Sequence, residues 1–491
     1  MTSRTLWSPG LAGAGALLAI ATGVAVAQQP VLALLGIGLL FAVASLLAWP
    51  EIATLGVVFL MFANVPSVLT TEYGIPQSAA VVIPLLLTIP IAASLLRGEP
   101  LVIVPTFLLL IVFLIVLLAS TAQSAYLEIG LEKLRSFAVE GIFMFFCLTN
   151  AIRTTQQLRR VTCALLASAA LLGALALFQT FTKTYYSTFF GFSRSASDFY
   201  YGYVTQPRLQ GPIGDPNYFA QVMLIAIPLG MAVASTAPSN GRRWIAMAAT
   251  GLTMGGIVMT YSRGAIVALT LMVVVMVALR QVRARQIALL VLALVAIIAA
   301  VPSYRERILS LVSIGGTAAG GGAHATEDQS VRARSTELFA ALLAYVDHPV
   351  LGVGPGAFPK NYQRYANQVG GEVHDTVKFG PLKGSTPERQ AHNMFVSIAA
   401  ELGTLGLAAL LWLLFLTARS LLRVRRRLLD SDPATAAIAN GYFLAITVFL
   451  AAGVFLTLAF ERYFWMLLAL AAAAARFGQP GDDAASPPTM R

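Results

Sequence analysis

Residues 244–280 read WIAMAATGLTMGGIVMTYSRGAIVALTLMVVVMVALR. A membrane-spanning helix takes about 20 mostly apolar residues at about 1.5 Å each. This stretch is too long for one span and fits two, 244–262 and 264–280. Tyr261-Ser262-Arg263-Gly264 forms the short turn between them. The same criterion applied outward along the chain marks spans near 10–27, 30–49, 51–70, 79–96, 101–120, 134–152, 160–182, 217–236, 286–302, 393–417, 434–460 and 463–476. The fold class expected is therefore an all-α polytopic membrane protein with about fourteen transmembrane helices, within a range of about 12–14.

Composition agrees. Of 491 residues 57% are hydrophobic and only 11% charged, against about 25% charged in soluble domains. Mean hydropathy is +0.76. The net charge of +11 would suggest nucleic acid in a soluble protein. Here the arginines sit between apolar runs, which points to topology and anionic lipid instead. The first run is followed at once by a second and reads as a retained helix rather than a cleaved leader. Cys147 and Cys163 fall in apolar segments and read as small buried hydrophobes; two cysteines make no disulfide framework or zinc site.

Arginine clusters orient the helices. Arg153/Arg159/Arg160, Arg242/Arg243, Arg280/Arg283/Arg285 and Arg419/Arg423/Arg425/Arg426/Arg427 all fall on one side, which the positive-inside rule makes cytoplasmic. The chain then divides into N-terminal helices (1–182), an outward loop (183–216), central helices (217–302), a large outward loop (303–392), C-terminal helices (393–476) and a cytoplasmic tail (477–491). The large loop holds a glycine run from Gly315 to Gly322. After it, Leu338, Phe339, Leu342, Leu343 and Val346 recur at helical spacing. They mark an amphipathic helix at the membrane surface, ended by His348-Pro349.

Polar chemistry collects on the outward side. Arg194, Arg208, Arg263, Arg332, Arg334, Arg364, Arg389 and Arg462 all lie there. Arg263, in a short turn between two apolar helices, is expensive without an anionic partner, and guanidinium matches phosphate. Asp215 or Asn217 caps the helix that follows Arg208-Leu209-Gln210-Gly211-Pro212-Ile213-Gly214, and that helix start offers N–H groups to an anion. His392 stands at the mouth of another helix, where an imidazole can accept a hydroxyl proton. His324 and His374 read as loop residues. Glu401, nine residues after His392, sits deeper and is expected to pair with an arginine for structure. Gly352-Val353-Gly354-Pro355-Gly356 follows no strand of a βαβ unit, and no Walker motif, zinc spacing or Gly-x-Ser-x-Gly elbow occurs. A membrane enzyme of this kind uses an already activated substrate.

The ordered set RLQGPIGDPNYFA (208–220), Tyr261-Ser262-Arg263-Gly264-Ala265, Ser330–Arg334, HPVLGVGPGAF (348–358) and HNMFVSIAAELGTLG (392–406) resembles the bacterial O-antigen ligase and O-antigen/exopolysaccharide polymerase superfamily. The family often has Asn-Pro-Asn where this chain has Asp215-Pro216-Asn217. The resemblance implies a membrane-embedded glycosyltransferase of the bacterial inner membrane with its site facing the periplasm. Its donor would be a glycan on undecaprenyl pyrophosphate, and its acceptor a sugar hydroxyl on lipid A–core or on a second lipid-linked glycan. It implies no cofactor, no metal and no nucleic acid. Arg263 and Arg208 would hold the pyrophosphate, with Arg194 the alternative to Arg208, and His392 would be the base of an inverting displacement. Asp215, Asn217, Tyr261, Arg332 and Arg334 would complete the substrate site. A repeat-unit polymerase shares this donor and base; a lipid-linked glycan flippase or transporter would need no base at His392.

Overall fold

The computed structural model describes residues 49–76, 81–196, 199–200, 203–204, 207–280, 323–369, 389–457 and 460–477; at 196, 199–200, 203–204 and 323–333 only the backbone is described. The expected spans 10–27, 30–49 (Trp49 apart) and 286–302, the glycine run 315–322 and His374 lie outside the described residues. So do the side chains of His324 and Arg332.

The helices run in chain order as α1 Pro50–Phe62, α2 Val65–Tyr73, α3 Val82–Leu85, α4 Thr88–Leu96, α5 Pro105–Gln123 and α6 Leu127–Ser136. A π-helical turn, Phe137–Phe143, leads into α7 Met144–Ala151, and α8 is Thr155–Thr182. Then come α9 Pro216–Leu224, α10 Ala226–Ser235, α11 Asn240–Val258, α12 Arg263–Ala278, α13 Ala323–Asp347, α14 Phe358–Val369, α15 Met394–Leu428, α16 Pro433–Gly453 and α17 Arg462–Arg476. Among the described residues six helices are long and apolar enough to cross a membrane: α5, the continuous 127–151 segment, α8, 216–235, α15 and α16. The pair α1–α2, bent by 56°, makes a seventh if counted as one span. The larger expected number includes segments outside the described residues and helices shorter than a span, such as α12. The fold is not purely helical. Four short strands between α8 and α9 form two antiparallel pairs: β1 Arg194–Ala196 with β4 Arg208–Gly211, and β2 Phe199–Tyr200 with β3 Tyr203–Val204.

Local chemistry sets the helix starts. Pro50, Pro105, Pro216 and Pro433 open their helices, where proline's missing N–H is harmless. Thr154 and Gln157 form a reciprocal capping box on α8. Asp215, Ser239, Asn393 and Asp432 each accept a backbone N–H as caps.

The core centres on α17, whose residues Tyr463–Ala475 are all buried. Trp465 meets Phe137 at 4.7 Å, Phe464 at 4.9 Å and Phe113 at 5.6 Å between ring centroids. Lipid removes the usual hydrophobic drive between such helices, so close packing holds them. Gly173 of α8 lies against the backbone of Leu252 and Thr253 of α11, and Gly256 lies against Gly173. Cys147 is buried, but Cys163 is exposed on the face of α8 turned away from the bundle, which corrects its expected burial.

The bundle has two chemically different ends. At one, Arg159 Nη2 donates to Thr236 O at 3.0 Å, Arg160 pairs with Glu51 at 2.7 Å, and Arg476 donates to the Thr149 carbonyl. The other end carries the β pairs, α13, α14 and the starts of α9, α12, α15 and α17.

Candidate active site

Two turns at this second end meet first. Leu209 N donates to Met259 O at 3.3 Å, laying β4 against the turn before α12. Arg208 Nε donates to Thr260 O at 3.0 Å and its Nη2 to Asn217 Oδ1 at 3.1 Å. Arg208 thus ties the Thr260–Arg263 turn to the start of α9. Tyr261 within that turn takes φ 52°, a left-handed backbone uncommon outside glycine. Arg263 is the first residue of α12, partly buried and engaged within the fold. Asp215 Oδ1 caps α9 by accepting from Asn217 N at 2.8 Å and Tyr218 N at 2.9 Å. Arg208, Asn217, Asp215, Tyr261 and Arg263 therefore belong to one cluster.

Arg194 does not join it through its guanidinium. Its Nη2 lies 2.7 Å from Glu72 Oε1 and 2.7 Å from Thr71 Oγ1, so it fastens β1 to α2.

A cavity of about 540 Å³ opens beside the start of α9, within the size range of small-molecule sites. Asp215, Tyr218, Arg389, His392, Glu461 and Arg462 line it. A second cavity of about 390 Å³ adjoins it, sharing Ser67 and Arg462; Met61, Pro66, Val81, Pro84 and Val139 make it largely apolar. Tyr218 Oη donates to Gln390 Oε1 at 2.9 Å and Thr457 O at 3.2 Å, joining three chain segments at the cavity wall. Asn64, also on the wall, takes φ 60° and donates from Nδ2 to Pro212 O at 3.0 Å.

His392 precedes the Asn393 cap of α15 and takes φ 46°. Left-handed non-glycine residues cost about 1–3 kcal/mol each and gather at functional sites; Asn64, Tyr261 and His392 all stand at this one. Behind His392 lies Glu337 of α13, only 2% exposed, with Oε2 3.5 Å from His392 Nε2 and Oε1 3.6 Å from Arg389 Nη1. Burial pushes the Glu337 carboxyl up to about 7, against the pull of Arg389 and Arg334. Burial lowers His392 to about 4, helped by Arg334 and Arg389 and opposed by Asp215. The imidazole is therefore neutral at physiological pH, the state a base requires. Arg334 is exposed on α13, three residues from Glu337.

Sequence reasoning missed Glu337, and passed over Arg389 and Arg462 as cavity residues. A signal existed for Glu337. Ala340, Ala341 and Ala344 are the buried face of α13, against α14 and Ala400, and Glu337 shares that face at helical spacing. Of the apolar stripe expected to lie at the membrane surface, Phe339, Leu342 and Val346 are exposed and Leu338 and Leu343 half-buried, as in a helix whose apolar side meets lipid.

Glu401 is structural, with a backbone partner rather than the arginine expected. Its Oε2 accepts from Gly356 N at 2.8 Å. The loop 349–356 crosses α15 where Gly403 breaks the helix (φ 66°, ψ −165°). Val353 N and Gly354 N donate to Ala400 O (2.9 Å) and Glu401 O (3.0 Å), and Thr404 N donates to Pro349 O (2.7 Å). This clasp joins the loop after α13 to α15 about two turns beyond His392. Among the described residues no group of three or more His, Cys, Asp or Glu is placed to hold a metal ion.

No curated protein matches the chain. Residues 246–411 match the family model described as O-antigen ligase. The matched stretch runs from α11 through the Arg263 turn, Glu337, His392 and the Gly403 clasp. Over that stretch, about a third of the chain, the sequence is similar to the O-antigen ligase family.

Proposed function

We propose that this protein transfers a glycan from undecaprenyl pyrophosphate onto a sugar hydroxyl, in the manner of an O-antigen ligase, at the periplasmic face of the bacterial inner membrane. The observation that carries the reading is a polar cavity holding a neutral histidine and two arginines, opening beside an apolar one, in a chain matched by the O-antigen ligase model. A donor with an anionic head and a long apolar tail suits that pairing.

His392 accepts the proton of the acceptor hydroxyl as its oxygen attacks the anomeric carbon. The bond from that carbon to the pyrophosphate oxygen breaks, and the electron pair leaves with the pyrophosphate. One displacement inverts the anomeric centre. The cavity arginines Arg389 and Arg462, with Arg263 on the turn that Arg208 fastens beside the start of α9, meet the growing negative charge, as preorganised cations do at leaving groups. Asp215 and Asn217 hold the start of α9 beside it, and Arg334 attends the glycan from α13. The reading calls on neither nucleotide nor metal.

The test supplies reconstituted full-length protein with an undecaprenyl-pyrophosphate glycan and two acceptors, a lipid A–core and a second lipid-linked glycan. Transfer to lipid A–core that is lost in His392→Ala supports ligation. Chain growth on the lipid-linked glycan makes the protein a polymerase. Donor binding without transfer to either overturns the enzyme reading.

A further inference from the structure

Glu337 is a carboxylate where a carboxylate is expensive. It sits on the alanine face of α13, pressed toward α14 and the start of α15, and is 2% exposed. Burying such a group carries a large solvation penalty unless charge partners offset it. Its Oε1 has Arg389 at 3.6 Å, yet its Oε2, 3.5 Å from His392 Nε2, has no hydrogen bond. His392 Nδ1 is likewise buried and without a hydrogen-bond partner. Residue 392 itself has a left-handed backbone and is followed by the Asn393 cap of α15.

We propose that Glu337 is the positioning residue of the His392 base: it holds the proton on Nε2, leaving Nδ1 to take the acceptor hydroxyl's proton, and stabilises the imidazolium that forms. The proposal rests on the reading of His392 as the base. A carboxylate behind a histidine selects tautomer and orientation in this way; with burial holding Glu337 up to about 7, it does so in its ionised form, above that value. The separation of 3.5 Å is long for a hydrogen bond, and such bonds tighten when substrate fills a site. Arg389 and Arg334 favour the ionised form of Glu337 against its burial. The charged groups acting on the ring are Glu337 and Arg334 from α13, Arg389 from its own segment and Asp215 from the start of α9. Tyr362 of α14 faces Glu337, and Glu461 and Arg462 line the same cavity.

The experiment measures transfer by the reconstituted full chain as a function of pH for wild type, Glu337→Gln, Glu337→Asp and His392→Gln. Alongside it, the histidine titrations are followed by NMR, with the His392 signal identified by its loss in His392→Gln. The expected result for Glu337→Gln is a kcat about 10²-fold lower, the lower end of what a proton-transfer group supplies. Acceptor KM should stay within about two-fold, and the His392 titration should move to lower pH. Glu337→Asp should recover part of the rate. In the wild type the His392 signal should shift a second time as Glu337 titrates; its absence overturns the proposal without any variant. A Glu337→Gln enzyme with wild-type kcat and pH profile overturns it while His392→Gln inactivity leaves the base reading standing. A kcat loss with an unmoved His392 titration also overturns it, since that is a packing role. Full activity in His392→Gln overturns the base reading itself.

Discussion

Gly352 and Gly403 lie so close that a Cβ on either would run into the backbone of the other's segment: Gly352 against Glu401 and Leu402, Gly403 against Val350 and Leu351. Both have positive φ, and at Gly403 the φ 66°, ψ −165° pair is one that side-chain-bearing residues avoid. Two glycines thus let a loop cross a spanning helix and satisfy the carbonyls freed by the break, including Ala400 O and Glu401 O. Non-helical backbone at such a position is tolerated only when other protein groups pair with it.

Gly403→Ala is therefore expected to lose roughly 1–3 kcal/mol from backbone strain alone, with the clash adding to it. Thermal unfolding in detergent should show a lowered midpoint, and proteolysis should cut the 349–356 loop faster. Gly251, with no atom within 4 Å of an added Cβ, is the control. Gly251→Ala should leave the midpoint unchanged or raise it, because alanine is the better helix former by about 1 kcal/mol.

Glu337 and His392 have opposite effects on stability as pH changes. His392 falls from 6.5 to about 4 on folding, so the unfolded chain binds more protons in that interval, and stability rises with pH through it. Glu337 rises from 4.5 to about 7, so the folded chain binds more protons there, and stability falls with pH through that window. The two trends largely offset each other in the wild type between about 4.5 and 6.5. Unfolding midpoints measured against pH should expose each trend separately. Glu337→Gln should gain stability as pH rises to 6.5, and His392→Gln should lose it as pH rises to about 7. Flat profiles for both variants would show that neither group is perturbed.

Much of this end of the molecule was legible in the sequence because it is local. The cap at Asp215, the stop of α13 before Pro349 and the short turn at Arg263 follow from neighbouring residues. The meeting of Arg208 with Asn217 is separated by only nine positions. The His392–Glu337 pair was not legible, because it depends on α13 folding back to the start of α15. The break at Gly403 was hidden as well. Glu401-Leu402-Gly403-Thr404-Leu405 continues an apolar helical pattern, and nothing local marks the loop that interrupts it. The partners of Arg194 lie on α2, over a hundred residues earlier.

The different surroundings of Arg194 and Arg208 separate two candidates of which the sequence put Arg208 first, for its place beside the start of α9. Arg208 donates to Thr260 O and Asn217 Oδ1 and so holds the turn that presents Arg263. Arg208→Lys retains the charge but not the fork that reaches both acceptors, and is expected to lower transfer by at least about ten-fold, or about 1.4 kcal/mol in the barrier. Arg194→Ala removes a part-exposed pair with Glu72, of the kind that contributes about 0–1 kcal/mol, and should keep most of the activity. Rates measured at saturating donor decide the ranking. Equal losses would assign both arginines to the donor.

Arg462 and Glu140 form the remaining ion pair of the site, 3.2 Å apart with each side chain 17% exposed. Glu140 sits on the π-helical turn, and Arg462 is the first residue of α17 and borders both cavities. Its Nη1 is buried without a hydrogen bond, on the side left over from Glu140. Removing one partner strands the other charge in a poorly hydrated position. Breaking a fully buried pair costs roughly 3–5 kcal/mol, and the residual exposure here brings the expected loss for Glu140→Gln down to about 1–3 kcal/mol. The double variant Glu140→Gln/Arg462→Gln should unfold at a higher temperature than Arg462→Gln alone, since no unpaired charge remains in it. Function should follow a different order. Glu140→Gln keeps the cavity cation and should retain donor binding, whereas both variants lacking Arg462 should bind an undecaprenyl-pyrophosphate donor more weakly. Should donor affinity instead track the unfolding midpoint across all three variants, the pair serves only to hold α17 against the π-helical turn.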